Sequence, residues 1–349
     1  MATIPQRIGD YIVGTNLGAG GIGTVYVGSH FQRPHERVAL KILHEKMVDY
    51  PHVMARFRRE EAAIRAIPHP NVVRVFDYVQ LPDSHACIIM EYIDGQSLLK
   101  LLRNQPSGKL LPLLACQVFM QIADGLASAH ERQIIHRDMK LTNVMVVEDA
   151  HQPGSFLVKV LDFGIAKAGG AEFTQITTDE GEEGASTMGT PAFMAPEQFV
   201  RPSKVDGRAD VYSLGVMLYV CLTGQLPFDV PGKIGSIAEC ALYYEMHSSA
   251  QPPALPSEIP RAVVRLTERM LAKNPEERPW MNELAIALRN LATQLEQSAS
   301  DKNLTGTGIE FTDLFSKEGQ RLPKAIDARA QPLGDPLTVL RQGSKELST

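Results

Sequence analysis

Along the N-terminal quarter of the chain the apolar positions come in short β-branched or aliphatic runs, at 11–17, 25–28, 38–43, 72–79 and 86–91. Each run is closed by Gly, Pro, Asp or His, a length and punctuation that predict strands. Between the third and fourth runs Val53, Phe57, Ile64 and Ile67 recur at helical intervals across an Arg-rich stretch, which predicts one helix over 53–67. Beyond Gly95 the period lengthens, and Cys116, Phe119, Ala123, Leu126, Ala127 and His130 recur at three- and four-residue steps. Two aliphatic runs, 144–147 and 156–161, flank Pro153-Gly154 and predict a hairpin. Further helices are predicted near 208–223, 234–246, 261–271 and 281–296. From residue 298 the periodicity fades among glycines and prolines, which predicts a disordered tail. Repeats of the solenoid or propeller kind are absent from the sequence.

Composition narrows the picture. A chain of 349 residues, 44 % hydrophobic and 21 % charged, can bury a sizeable core and fits two packed lobes with a tail. A net charge of −5 argues against a dedicated nucleic-acid binder. The first residues hold no apolar h-region, so no signal peptide is expected. The uncharged run over 211–228 is broken by Ser213, Gly215, Thr223, Gly224, Gln225 and Pro227, so it reads as a buried helix and not as a span. Cys87, Cys116, Cys221 and Cys240 lie far apart, which fits a reducing compartment, and a cytoplasmic location is expected. The histidines form no zinc-type spacing.

Four clusters carry candidate chemistry. Gly18-Ala19-Gly20-Gly21-Ile22-Gly23 is a GxGxxG string, which dinucleotide-binding folds also use. The residues after Gly23 alternate as a strand, whereas the dinucleotide version runs into a helix. A glycine turn between strands lets backbone N–H groups approach phosphates; a plain Gly-rich hairpin is the alternative. Lys41 ends the apolar run Val38-Ala39-Leu40-Lys41, where an ammonium needs an anionic partner, a phosphate or a carboxylate such as Glu60, with Glu61 competing. Snorkelling at a lobe edge is the bland reading of Lys41. Asp138 and Asn143 sit in one loop with Lys140 between them, able to supply a carboxylate, an amide oxygen and an ammonium to a phosphoryl transfer. Asp162-Phe163-Gly164 closes the hairpin and offers a hard oxygen ligand for Mg²⁺ beside Asn143.

With these residues in place the chain resembles a Ser/Thr protein kinase of the bacterial, eukaryotic-like (Hanks-type) group. GAGGIGTV, VALK, HRDMKLTN, DFG, GTPAFMAPE and DVYSLG come in that family's order, over residues 10 to about 295. The resemblance implies an α+β, two-lobed protein-kinase fold: a small β-rich N-lobe (11–93) with one main helix, and a larger helical C-lobe (94–297). Residues 1–10 would be an extension and 298–349 the tail. It implies that Asp138 accepts or orients the proton of a substrate hydroxyl and that Lys140 steadies the γ-phosphoryl group. Lys41 would hold the α- and β-phosphates, paired with Glu60, while Asn143 and Asp162 hold Mg²⁺, with Mn²⁺ as a substitute. ATP would lie under Leu17, Gly18, Ala19, Gly20, Gly21, Ile22, Gly23, Val25 and Ala39, above Met145, with Met90 as gatekeeper and Glu91 and Ile93 as backbone hinge contacts.

Ile64, Phe163 and His136 would stack between the lobes, and Glu197 would pair with Arg278 in a structural role. Lys140 and Thr190 carry the family's Ser/Thr-type signature; Leu141 and Phe193 depart from its usual Pro and Tyr, at positions that touch neither phosphate nor metal. A phosphate in the segment over 165–194 would meet Arg137, and Thr174, Thr177, Thr178 and Thr187 are the candidates, with Ser186 beside them. Protein substrates are the expected partners, without nucleic acid or membrane insertion. Self-association is expected back to back or through the tail, where Ile309, Phe311, Leu314 and Phe315 cluster. A nucleotide-binding scaffold and a small-molecule kinase are the competing functions. The complete Lys41, Asp138, Asn143 and Asp162 set weighs against the first, and GTPAFMAPE against the second.

Overall fold

Alternation decides the N-terminal sheet. In strand β4 (Arg37–Leu43), Ala39 and Leu43 join the large core that continues into the second lobe. Val38, Leu40 and Ile42 turn the other way, into a smaller core with Ile8, Tyr26, Cys87 and Ile89. Both faces of this strand are covered, so it sits inside the sheet. The other strands of the sheet are β1 (Arg7–Ile8), β2 (Tyr11–Ala19), β3 (Gly23–His30), β5 (Val75–Gln80) and β6 (Ala86–Glu91). All pair antiparallel in the order β1-β2-β3-β4-β6-β5. The structure is a computed structural model, and it describes residues 5–20, 23–43, 58, 61–81, 86–149, 155–163, 191–230 and 237–301.

Of the helix predicted over 53–67, residue 58 and residues 61–67 are described; residue 58 and residues 61–65 are helical, and the helix ends two residues before the predicted boundary. The run at 72–79 becomes a strand of the sheet only from Val75. Its first residues belong to the other lobe: Val73 N–H donates to Val160 O at 2.9 Å, and Val160 N–H donates to Asn71 O at 2.8 Å. An apolar run registers burial but not the partner that supplies it.

The second lobe is mostly helical. A small sheet, β7 (Gln96–Ser97), β8 (Val144–Glu148) and β9 (Phe156–Val160), lies at its junction with the first. Helix α1 (Leu98–Asn104) is started by Ser97, whose hydroxyl accepts Lys100 N–H at 3.2 Å. Helix α2 (Pro112–His130) begins on a proline, whose missing N–H costs nothing there. A short α3 (Pro196–Val200) precedes α4 (Arg208–Thr223), which is buried from Ala209 to Leu222 and therefore forms the middle of the lobe. Gly224, at φ 74°, ends α4 in the left-handed conformation that favours glycine. Helices α5 (Ile237–Ser249), α6 (Arg261–Met270) and α7 (Met281–Asp301) complete the lobe.

Helix α7 runs antiparallel to α2, since Gln117 bonds Glu296 at 2.7 Å and Arg289 bonds Asp124 at 2.9 Å. It extends to Asp301, so the periodic structure passes residue 298. The cluster Ile309, Phe311, Leu314 and Phe315 lies outside the described residues. A β-rich lobe and a helical lobe make the architecture the expected α+β, two-lobed one. No helix among the described residues is long and apolar enough to cross a membrane.

Candidate active site

The glycine turn closes with Gly20 N–H donating to Gly23 O at 2.9 Å. Gly23 is required by packing, because a Cβ there would lie 2.3 Å from Ile42 O on the neighbouring strand. Gly18 and Gly20 are different. Among the described residues, a Cβ at Gly18 would meet nothing within 4 Å, and at Gly20 only Gly23 O at 3.9 Å. The protein's own packing does not explain these two glycines, whereas the close approach of an outside group would. Leu17 and Ala19 are exposed on the same strand, and Val25 faces Lys41 across the sheet. Gly21 and Ile22 lie outside the described residues.

Ala39 pairs with Met90, and both are buried at the rear of the cleft. Glu91 is heavily engaged: its N–H donates to Arg74 O at 2.8 Å and its carboxylate takes Lys159 Nζ at 2.9 Å. Ile93 and Met145 are half-buried, Met145 on β8 in the second lobe.

Lys41 shares a strand face with Ala39 and Leu43, so its side chain points toward the second lobe, 12 % exposed. There its Nζ donates to Asp162 Oδ1 at 2.7 Å, joining two side chains remote in sequence. Asp162 sits just past β9 with φ 47°, a strained backbone for a non-glycine residue. Burial pushes its carboxyl up, but the charge and hydrogen bond of Lys41, helped by the charge of Lys140, hold it below the usual carboxylate range. Glu60, the sequence-based partner of Lys41, lies outside the described residues. Glu61 is committed elsewhere: it accepts Arg65 Nε at 3.1 Å, and Arg65 also reaches Asp77 at 3.3 Å.

The loop bearing Asp138 is held from several sides. Lys140 Nζ stands 3.2 Å from Asp138 Oδ2. Asn143 Nδ2 donates to the Asp138 carbonyl at 2.8 Å, while Asn143 O accepts Leu161 N–H at 2.8 Å, which brings Asn143 beside Asp162. Asn143 Oδ1 and Asp162 Oδ2 have no hydrogen bond among the described residues. Two such oxygens are a hard donor set that suits Mg²⁺ completed by phosphates and water. The described residues contain no group of three or more His, Cys, Asp or Glu side chains able to hold a metal. Two oxygens of this kind fit a divalent cation whose remaining ligands come from phosphates and water.

Behind the loop, Asp210 on α4 works as a clamp. Its Oδ1 accepts Arg137 N–H and its Oδ2 accepts His136 N–H, both at 2.8 Å, and His130 Nε2 donates to Oδ2 at 2.8 Å. These bonds hold Arg137 at φ 62°. Burial raises the Asp210 carboxyl, but the hydrogen bond and charge of His130, with the backbone N–H of His136 adding, hold it below the ordinary range. His136 Nε2–H donates to Leu161 O at 2.7 Å and Nδ1 accepts Asp138 N–H at 3.2 Å, the pattern of a neutral ring. Burial lowers its pKa in the same sense. The His136 ring lies 4.7 Å from Phe163, which forms one step of the expected column, and Ile64 is buried in the same large core as Phe163.

Glu197 and Arg278 meet through two bonds, at 2.6 and 3.0 Å. The other guanidinium N–H groups donate to the carbonyls of Ala272, Arg208 and Lys273, so all five donors of a fully buried arginine are used. Thr174, Thr177, Thr178, Ser186, Thr187 and Thr190 lie outside the described residues. Sequence reasoning missed the clamp role of Asp210, although a carboxylate opening a mostly apolar helix was a visible signal. It also missed Lys159 and Gln198, single polar residues without a motif.

Comparison with known proteins agrees with this geometry. A family model described as protein kinase domain matches residues 11–286. The chain is 37 % identical over 280 residues to the serine/threonine-protein kinase pkn2 of Myxococcus xanthus, covering 78 % of this chain and 31 % of that protein. It is 38 % identical over 295 residues to Pkn1 of the same organism, covering 81 % of this chain and 39 % of that one. PknB of Mycobacterium leprae is 35 % identical over 282 residues, covering 80 % and 42 %. The chain thus spans well under half the length of these relatives. Among solved structures, the Mycobacterium tuberculosis PknI kinase domain superposes with a TM-score of 0.60 at 25 % identity, covering 83 % of this chain and 99 % of that one. The chain belongs to the protein kinase domain family, on its bacterial Ser/Thr side.

Proposed function

We propose that this chain transfers the γ-phosphoryl group of ATP to Ser or Thr hydroxyls of protein substrates, in signal transduction. The observation that carries the reading is the contact between Lys41 and Asp162 across the cleft, with Asp138, Lys140 and Asn143 held in one loop beside it. In this reading Lys41 holds the α- and β-phosphates, and Lys140 neutralises charge that spreads onto the transferring group. Asp138 accepts or orients the hydroxyl proton of the acceptor, with its backbone fixed by His136 and Asn143. Asn143 and Asp162 would hold Mg²⁺, which would offset the negative charge of the phosphates. The adenine lies between Val25 and Ala39 above and Met145 below. The chain is read as an N-lobe over 11–93, a C-lobe over 94–297 and a tail from 298, working in the cytoplasm where ATP is abundant.

The same activity is expected to act on the chain itself, at Thr177 or Thr178 before Thr174 or Thr187, so that the phosphate pairs with Arg137. The test incubates the protein with labelled Mg-ATP and a generic protein substrate, beside Asp138→Asn. The variant should transfer about 10²–10⁴-fold more slowly. Mass mapping of the same samples should find phosphate within 165–194 in the parent chain alone. Equal labelling by both proteins would remove Asp138 from its assigned role. A fully active enzyme unmodified over 165–194 would remove the regulatory part.

A further inference from the structure

Gln198 is buried, 9 % exposed, at the start of α3, and its amide is used at both ends. Oε1 accepts Ala195 N–H at 2.9 Å, and Nε2 donates to the Arg137 carbonyl at 3.1 Å. The orientation is fixed by chemistry, since turning the amide over would set N–H against N–H and oxygen against oxygen. The Arg137 carbonyl belongs to the peptide unit that leads into Asp138. The N–H of that same unit donates to His136 Nδ1. Arg137 itself is strained at φ 62°, so the direction of this peptide depends on the bonds that hold it. Asp210 fixes the N–H side of Arg137, and Gln198 fixes its carbonyl side.

The other end of Gln198 leads to the acceptor. Ala195 comes directly after the turn Pro191–Phe193 and Met194, the segment that the kinase reading assigns to seating the acceptor hydroxyl. We propose that Gln198 is a positioning residue that aligns Asp138 with the acceptor-seating segment, one side chain tying the base's backbone to the platform on which the hydroxyl rests. This rests on Asp138 being the group that receives or orients the proton. Gln198 has no bond to Lys41 or Asp162, so nucleotide binding is left out of its role.

Replacement by glutamate separates this role from mere packing. The introduced carboxyl keeps an acceptor for Ala195 N–H. When ionised it sets a bare oxygen against the Arg137 carbonyl, and when protonated it restores a donor. The titratable groups on elements meeting this end of α3 are Arg137, Asp138 and Asp210 at the loop clamp, and Glu239, Glu245 and His247 on α5. Lys204 lies in the turn Pro202–Lys204, and Glu197 is bound to Arg278. These surroundings and the carbonyl give the introduced carboxyl its reason to bind a proton as pH falls.

The experiment measures kcat and the KM for ATP with a peptide acceptor at pH 8 and pH 6, for the parent chain, Gln198→Glu, Gln198→Met and Asp138→Asn. Gln198→Glu should run about tenfold below the parent at pH 8 and within about threefold at pH 6, the scale of one hydrogen bond. Gln198→Met, of similar length without donor or acceptor, should stay about tenfold low at both pH values. The KM for ATP should hold within about twofold in both, which also reports that they are folded. A variant-to-parent ratio for Gln198→Glu that does not change with pH overturns the proposal. So does Gln198→Met at the parent rate, and this second arm decides the matter alone if Gln198→Glu does not fold. Failure of the parent chain to phosphorylate, or an Asp138→Asn variant as fast as the parent, overturns the underlying function and this role with it.

Discussion

Two ion pairs of similar length do opposite work. Lys41–Asp162 faces the cleft, with 37 % of the Asp162 side chain exposed and one carboxylate oxygen unbonded among the described residues. Arg278–Glu197 has a fully buried arginine with every donor used. The first can exchange partners when phosphates arrive; the second has nothing to offer a ligand. Arg278→Met should therefore destabilise by about 3–5 kcal/mol, because it leaves Glu197 and three carbonyls without their partner. Lys41→Met should move the melting midpoint by only about 2–4 °C while abolishing transfer and weakening nucleotide binding. Thermal unfolding and a labelled transfer assay on both variants check the contrast; a large stability loss in Lys41→Met would make that pair structural. At this scale the sequence was informative where residue type and spacing both constrain chemistry, as at Lys41, Asp138, Asn143 and Asp162. Gln198 escaped because a glutamine at the start of a short helix has many uses, and only its two partners single one out.

The glycine turn shows the same division at the level of an element. Its string was ambiguous between two nucleotide-binding architectures and a plain hairpin, and the alternation after Gly23 correctly gave strand–turn–strand. The string could not say which glycines serve the fold. Gly23→Ala should destabilise by about 1–3 kcal/mol, since its Cβ would collide with the Ile42 carbonyl of an internal strand and that backbone cannot yield. Gly20→Ala has room, so its stability should match the parent within about 0.5 kcal/mol while the KM for ATP rises. Urea unfolding and ATP titration of the two variants check this, and equal stability losses would undo the distinction. The other element-level difference, the late start of β5, has a related cause. Val72 and Val73 are as apolar as a strand requires, but their backbone is used by Val160 in the second lobe. A local pattern cannot specify a partner so far along the chain, and this stitch is what ties the first lobe to the strand ending next to Asp162.

For the whole molecule, one apolar core runs from Ala39, Ile88 and Met90 under the N-terminal sheet through Val144 and Val160 to Leu126 and Leu214. The two-lobed division was legible from the change of period near Gly95, whereas the continuity of the core across it was not, because periodicity records faces and not their contacts. Beside that core, smaller aromatic clusters enclose a buried histidine. His247 on α5 is wholly buried, its Nδ1 2.9 Å from Tyr212 Oη, with the rings of Phe228, Tyr212 and Tyr243 around it. Burial, assisted by the Lys273 charge, lowers its pKa from 6.5 to about 3. Between those values the unfolded chain takes up a proton that the folded chain refuses. The contribution is therefore destabilising on the acid side: stability is unaffected above about pH 6.5 and falls by about 1.4 kcal/mol per pH unit below it, or about 2 kcal/mol by pH 5. His136, shifted in the same direction, adds to the slope. His247→Phe keeps an aromatic ring in the box but removes the titration and the partner of Tyr212. It should be less stable than the parent at pH 7.5, and the gap should narrow by about 2 kcal/mol at pH 5. Urea unfolding of both proteins at the two pH values measures that gap, and an unchanged difference would mean that His247 takes up its proton in the folded state as readily as in the unfolded chain.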